Sequence, residues 1–228
     1  MKKIEVIDEE YKGKLFLSSN GYRKNPENEE FNSILASCTQ KGVNALFVSN
    51  ATTLGHNQLN TPIIMKFMED NGALVREIIL TKENINMIKE FDIVYFTGGD
   101  IEPLLELANN TNFSSILIEY LSNGGVVFAE SAGSMIFTEN LENPWKIRRM
   151  INENKGKYAE DLESYKGFGL VDTTIYPHWN LLTNEQKEKV NQFAEVYKIQ
   201  ITALNDGNFV KYNIKELLMQ MLRKRMHR

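Results

Sequence analysis

One cysteine, three histidines and no long apolar run set the first limits on this 228-residue chain. With Cys38 alone, no internal disulfide can form and no cysteine-rich metal site can be assembled. Cys38 lies in FNSILASCTQ with Phe31, Ile34 and Leu35 at helical spacing, which reads as a thiol in a packed core. No stretch reaches the roughly 18 apolar residues of a membrane helix, and MKKIEVIDEE lacks the apolar run of a secretory signal. A soluble, cytoplasmic protein is expected, with no membrane partner. Strong net charge is also missing. Residues 211–228 carry six Lys/Arg against one Glu, a local +5 that leaves −9 on residues 1–210 of a chain with net charge −4. The body is therefore a poor nucleic-acid binder, and only the tail is basic. Nor is there an internal repeat, a low-complexity tract or a dividing linker, so residues 1–228 read as one domain.

What is present is alternation. KLFLSS (14–19), NALFVSNAT (44–52), ALVREIIL (73–80), DIVYFTGG (92–99) and GVVFAES (125–131) are short, β-branched and aromatic, and apolar nearly throughout. Such runs suit strands covered on both faces. Helical patterns separate them. Thr61-Pro62 opens one and Asn71-Gly72 closes it. Thr81 opens another ahead of Ile85 and Ile88, Asp100 caps a third, and Phe113 to Leu121 forms a fourth. The repetition predicts an α/β fold: a doubly wound, mostly parallel sheet with helices on both faces. Residues 143–167 break the rhythm with a charged, irregular stretch. A strand-like GFGLVDTTIYPHW, a helix from Thr183 and the run IQITAL then resume it. The pattern ends in a helix over 213–226, with Ile214, Leu217, Leu218, Met221 and Leu222 on one face and a capping box at Asn213 and Glu216. That face should dock on the body or on a second copy in a homodimer.

Ligands of such sheets bind beyond the carboxyl ends of the strands. Four loops qualify: 50–56, 98–100, 131–133 and the residues around His178. In Ala129-Glu130-Ser131-Ala132-Gly133, a serine stands between an apolar strand and an apolar helix. This is the nucleophile-elbow layout with Ala for the first Gly, although a plain structural turn would show the same pattern. Such a turn lifts the hydroxyl above the sheet and aims the Ala132 N–H at an oxyanion. A serine needs a base. His227 sits in the basic tail, His56 is a minor candidate, and His178, just past a strand end, is either a base or a structural histidine between Tyr176 and Trp179. Glu130 would act on His178 by charge proximity if it turned inward.

In order along the chain, TGGD (97–100), SAGS (131–134), PHW (177–179) and ALNDG (203–207) resemble the peptidase E, or aspartyl dipeptidase, family, whose relatives include cyanophycinase. The resemblance spans about Lys14 to Asn213. It implies a class I glutamine-amidotransferase-like fold with serine at the elbow, and a serine-type peptidase acting on small peptides through an acyl-enzyme. It further implies Ser131 as nucleophile, His178 as general base, and an oxyanion hole from the Gly98 and Gly99 backbone with the Ala132 N–H. No metal or organic cofactor is implied. Asp206, after IQITAL, is preferred as the acid that orients the histidine, with Glu139 or Glu142 as alternatives in a segment where relatives carry T-x-N-D-x-P. Aspartyl dipeptidases use an arginine in a T-R-E-Q-like stretch to recognise the substrate aspartate. Here that stretch is Thr183-Asn184-Glu185-Gln186, so Asn184 stands in its place and Arg148 or Arg149 would have to supply the cation. Competing readings are a non-catalytic small-molecule or peptide binder on the same fold, and another serine amidase or esterase.

Overall fold

A computed structural model describes residues 7–53, 59–142, 146 and 164–219. The apolar runs form β1 (Lys14–Ser18), β2 (Asn44–Val48), β3 (Leu74–Ile78), β4 (Ile93–Phe96) and β5 (Val126–Glu130). A short pair follows, β6 (Thr174–Tyr176) and β7 (Ile201–Ala203), and then β8 (Phe209–Asn213). The main sheet has the order β3-β2-β4-β5-β1-β8, parallel throughout except for β8, which pairs antiparallel with β1. β6 and β7 pair in parallel as a separate two-stranded sheet.

Side chains alternate between two apolar clusters, one on each face of the sheet. On one face Phe47, Tyr95, Phe128 and Phe16 occupy one register across β2, β4, β5 and β1, with adjacent rings stacked at centroid distances of 5.2, 6.5 and 4.7 Å. The helices α1 (Glu29–Cys38) and α2 (Thr61–Asp70) cover this row with Phe31, Leu35, Ile64 and Met68. Cys38 is buried there, and burial with the nearby Glu10 and Asp8 charges pushes its thiol up to about 12. The opposite face carries Leu17, Val48, Val94, Phe96 and Ala129 under α3 (Glu102–Asn110) and α4 (Phe113–Ser122).

Neighbouring strands β1 and β5 send their chains to opposite faces. After β1 the chain enters α1 on the aromatic-row face. After β5 it enters α5 (Ala132–Met135), whose Met135 packs in the other cluster. The carboxyl ends of β1 and β5 therefore flank a switch point, where such sheets leave a crevice.

The segment after Thr81 and the strand β8 differ from the sequence reading. The segment after Thr81 is a 3-10 turn over Ile85–Glu90, in which three residues per turn still bury Ile85 and Ile88 together. β8 is an edge strand that the sequence reading leaves unassigned. The tail is helical over 214–219, opened by reciprocal Asn213 and Glu216 hydrogen bonds of 2.9 Å each. Leu217 enters the core and Ile214 packs against it, whereas Leu218 is 39% exposed. Met221 and Leu222 lie outside the described residues. Among the described residues, no helix is long and apolar enough to cross a membrane.

Candidate active site

Ser131 leaves β5 with φ 48 and ψ −115, a conformation most side chains avoid. The turn is held from both sides. Its N–H donates to the Ser18 carbonyl at 3.1 Å, and its own carbonyl accepts from Ser134 N–H at 2.9 Å. Ser134 Oγ also donates to the Ser18 carbonyl, at 2.8 Å. Gly133 is required for packing: a β-carbon there would stand 2.7 Å from the carbonyl oxygens of both Phe96 and Thr97. The elbow thus rests directly on the ends of β1 and β4.

His178 is the second strained residue, left-handed at φ 61. It follows β6, and Trp179 N–H donates to the Leu204 carbonyl at 3.0 Å, anchoring the turn to the end of β7. Ser131 Oγ lies 3.0 Å from His178 Nε2, and His178 Nδ1 lies 2.7 Å from Asp206 Oδ1. With the Nδ1 proton assigned toward the carboxylate, Nε2 is free to accept the serine proton. Asp206 is itself held by its N–H, which donates to Asn180 Oδ1 at 2.7 Å.

Ser19 joins this set and was missed in the sequence because KLFLSS reads as one strand. Fully buried, its hydroxyl donates to Asp206 Oδ1 at 2.7 Å and accepts from His178 N–H at 2.8 Å. A polar residue closing an apolar strand at the switch point is the signal that could have marked it.

Glu130 does not face His178. Period-two alternation puts it on the aromatic-row side, where Tyr95 hydroxyl donates to Oε2 at 3.1 Å and Gly98 N–H to Oε1 at 3.2 Å. Burial first, and then the Glu130 charge, hold the Tyr95 phenol well above its usual range, so it remains a donor. Gly98 N–H is thereby engaged below the sheet edge, which corrects the expectation that it serves an oxyanion. The Gly99 and Ala132 amides meet no acceptor among the described residues.

The remaining expected residues are dispersed. Glu142 pairs with Lys146 at the surface, and Glu139 lies where its carbonyl accepts from Gly167 N–H at 3.0 Å. Asn184 opens α6 (Asn184–Tyr197) as an exposed residue behind a Thr183 capping box. Arg148, Arg149, His56 and His227 lie outside the described residues. Among the described residues, no three of His, Cys, Asp and Glu converge to hold a metal ion.

The sequence pattern of peptidase family S51 matches residues 15–219. The chain belongs to this family. It is a peptidase by that membership, and similar proteins carry the same name. An uncharacterized peptidase of Listeria monocytogenes is 27% identical over 214 residues, 91% of this chain and 98% of that protein. One from Listeria innocua is 29% identical over 170 residues, 73% and 76% of the two chains. Among solved structures, a candidate peptidase E protein from Listeria monocytogenes aligns with TM-score 0.61 at 22% identity, covering 88% of this chain and 98% of that one. A peptidase from an acI-B1 Actinobacterium gives TM-score 0.61 at 18% identity, covering 89% and 84%. The S51 chain thus has the class I glutamine-amidotransferase-like fold of peptidase E structures.

Proposed function

We propose that this S51 peptidase is a serine-type hydrolase of small peptides. The supporting observation is the unbroken hydrogen-bond chain from Ser131 Oγ through the His178 ring to Asp206, with contacts of 3.0 and 2.7 Å. Ser131 Oγ attacks the scissile carbonyl while Nε2 of His178 takes its proton, and Asp206 stabilises the imidazolium. That proton then passes to the leaving amine as the C–N bond breaks. Water, activated by the same ring, hydrolyses the acyl-serine and returns the enzyme. The developing oxyanion is met by the N–H groups of Gly99 and Ala132, each of which contributes on the order of 3–4 kcal/mol to barrier lowering.

A fluorophosphonate probe should label the native protein at Ser131. Ser131→Ala should abolish labelling with the fold intact, and His178→Ala should slow it by at least about a thousandfold. Equal labelling of Ser131→Ala would remove the serine from the mechanism and leave a binding protein or a different amidase.

On specificity, Asn184 can hydrogen-bond a carboxylate but cannot neutralise it. In a panel of X-Leu dipeptides, Asp should be preferred over Asn by less than about tenfold in kcat/KM. A hundredfold preference would point to a cation in the 143–163 stretch, and Arg148→Ala and Arg149→Ala would identify it.

A further inference from the structure

Glu130 precedes the elbow serine, and its side chain is only 1% exposed. A buried carboxylate is costly unless donors satisfy it, and here they come from separate segments of chain. Gly98 N–H reaches Oε1 from the loop after β4, at 3.2 Å. Tyr95 hydroxyl reaches Oε2 from β4 itself at 3.1 Å, and Arg23 Nη1 approaches Oε2 from the loop after β1 at 3.4 Å. Gly21, at φ 63, closes the remaining space: a β-carbon there would collide with Oε2 and with the Tyr95 hydroxyl. Stability alone gives no reason for this arrangement, because apolar side chains of similar volume often replace a buried ion pair without loss.

The arrangement has one directed consequence. Drawing the Gly98 N–H under the sheet edge fixes the Thr97–Gly98 peptide, one unit before that of Gly99, which stands at φ 137, where side chains are disfavoured. The next amide, Gly99 N–H, is then left without an acceptor among the described residues. We propose that Glu130 is a positioning residue for the oxyanion hole: by holding Gly98 N–H it sets the Gly98–Gly99 turn so that Gly99 N–H, with Ala132 N–H, meets the negative oxygen. Alternation along β5 makes this possible, since Glu130 lies beneath the loop while Ser131 turns out above the edge. The inference rests on Ser131 being the nucleophile.

The test is the rate of phosphonylation by a fluorophosphonate across pH, together with the phosphorus-31 shift of the adduct, whose phosphoryl oxygen occupies the oxyanion position. Glu130→Met, which cannot accept from Gly98, should lower the plateau rate about 100-fold while leaving the midpoint of the pH profile in place. Its adduct resonance should move toward that of a phosphonate in free solution. Glu130→Gln keeps an acceptor, but a neutral carbonyl accepts less strongly than a carboxylate, so the loss should be about three- to tenfold. If Glu130→Met does not fold, the Gln variant decides. Wild-type rate and shift in either folded variant overturn the proposal while leaving Ser131 as nucleophile. A shifted pH midpoint would also overturn it, by showing that the change reached His178. A wild-type protein inert at Ser131 would remove both readings together.

Discussion

Ser131 and His178 are two of the three non-glycine residues with positive φ among those described; the third, Lys198, is a helix C-cap. Each such residue costs on the order of 1–3 kcal/mol and persists only where its surroundings over-determine it. Ser19 supplies part of that determination at both ends of the acid–base pair. Ser19→Ala would leave the His178 N–H unpaired in a partly buried setting and remove one donor from Asp206. Stability should fall by about 1–3 kcal/mol, read as a denaturant midpoint. Fluorophosphonate labelling of the folded variant should slow about tenfold as the imidazole loses its fixed orientation. A labelling rate within twofold of wild type would show that Asp206 and the turn at 178 hold themselves. Ser131, His178 and Asp206 each lie past the end of an apolar run, a position that left structural turns open as alternatives, and the resemblance to peptidase E singled them out. Ser19 was hidden because nothing local distinguishes the last residue of a strand from a residue reaching across to another segment.

At the level of elements, the elbow is a joint between β5, α5 and the end of β4. Ala129 in place of the first elbow glycine is explained by its position. It lies opposite Leu17 and Phe96 in the sheet and faces the apolar cluster, where a methyl group is accommodated. Gly133 has no such freedom, because the atoms a β-carbon there would meet at 2.7 Å are backbone carbonyls that no rotamer change can move. Gly133→Ala should therefore separate α5 from β4, destabilise the protein by about 1–3 kcal/mol and suppress Ser131 labelling. Wild-type melting and labelling in that variant would show that the joint can open without consequence. The glycine was legible as part of the elbow pattern, but which atoms it must clear was not, since Phe96 and Thr97 are some 36 residues away in sequence.

Across the whole molecule, the alternation of apolar runs and helical patterns determined a parallel sheet covered on both faces, because strands buried on two sides must be apolar nearly throughout. It also placed the chemistry at the carboxyl edge of that sheet. Strand order lay beyond it. Pairing β1 with β5 brings residues 18 and 130 into register, and this long-range choice depends on how the two faces pack rather than on either segment alone. The same holds for β8, whose FVKYN is too short and too mixed to be distinguished from a loop until β1 offers it an edge. Side-chain direction was decided last. Glu130 could have faced His178 or the core, and only the period-two register that stacks Phe128 on Phe16 turned it toward Tyr95 and Gly98. The sequence by itself determined which residues stand at strand ends and what chemistry their groups can do. The tertiary structure decided which of those ends meet, because strand pairing and face packing are settled by contacts between residues far apart in the chain.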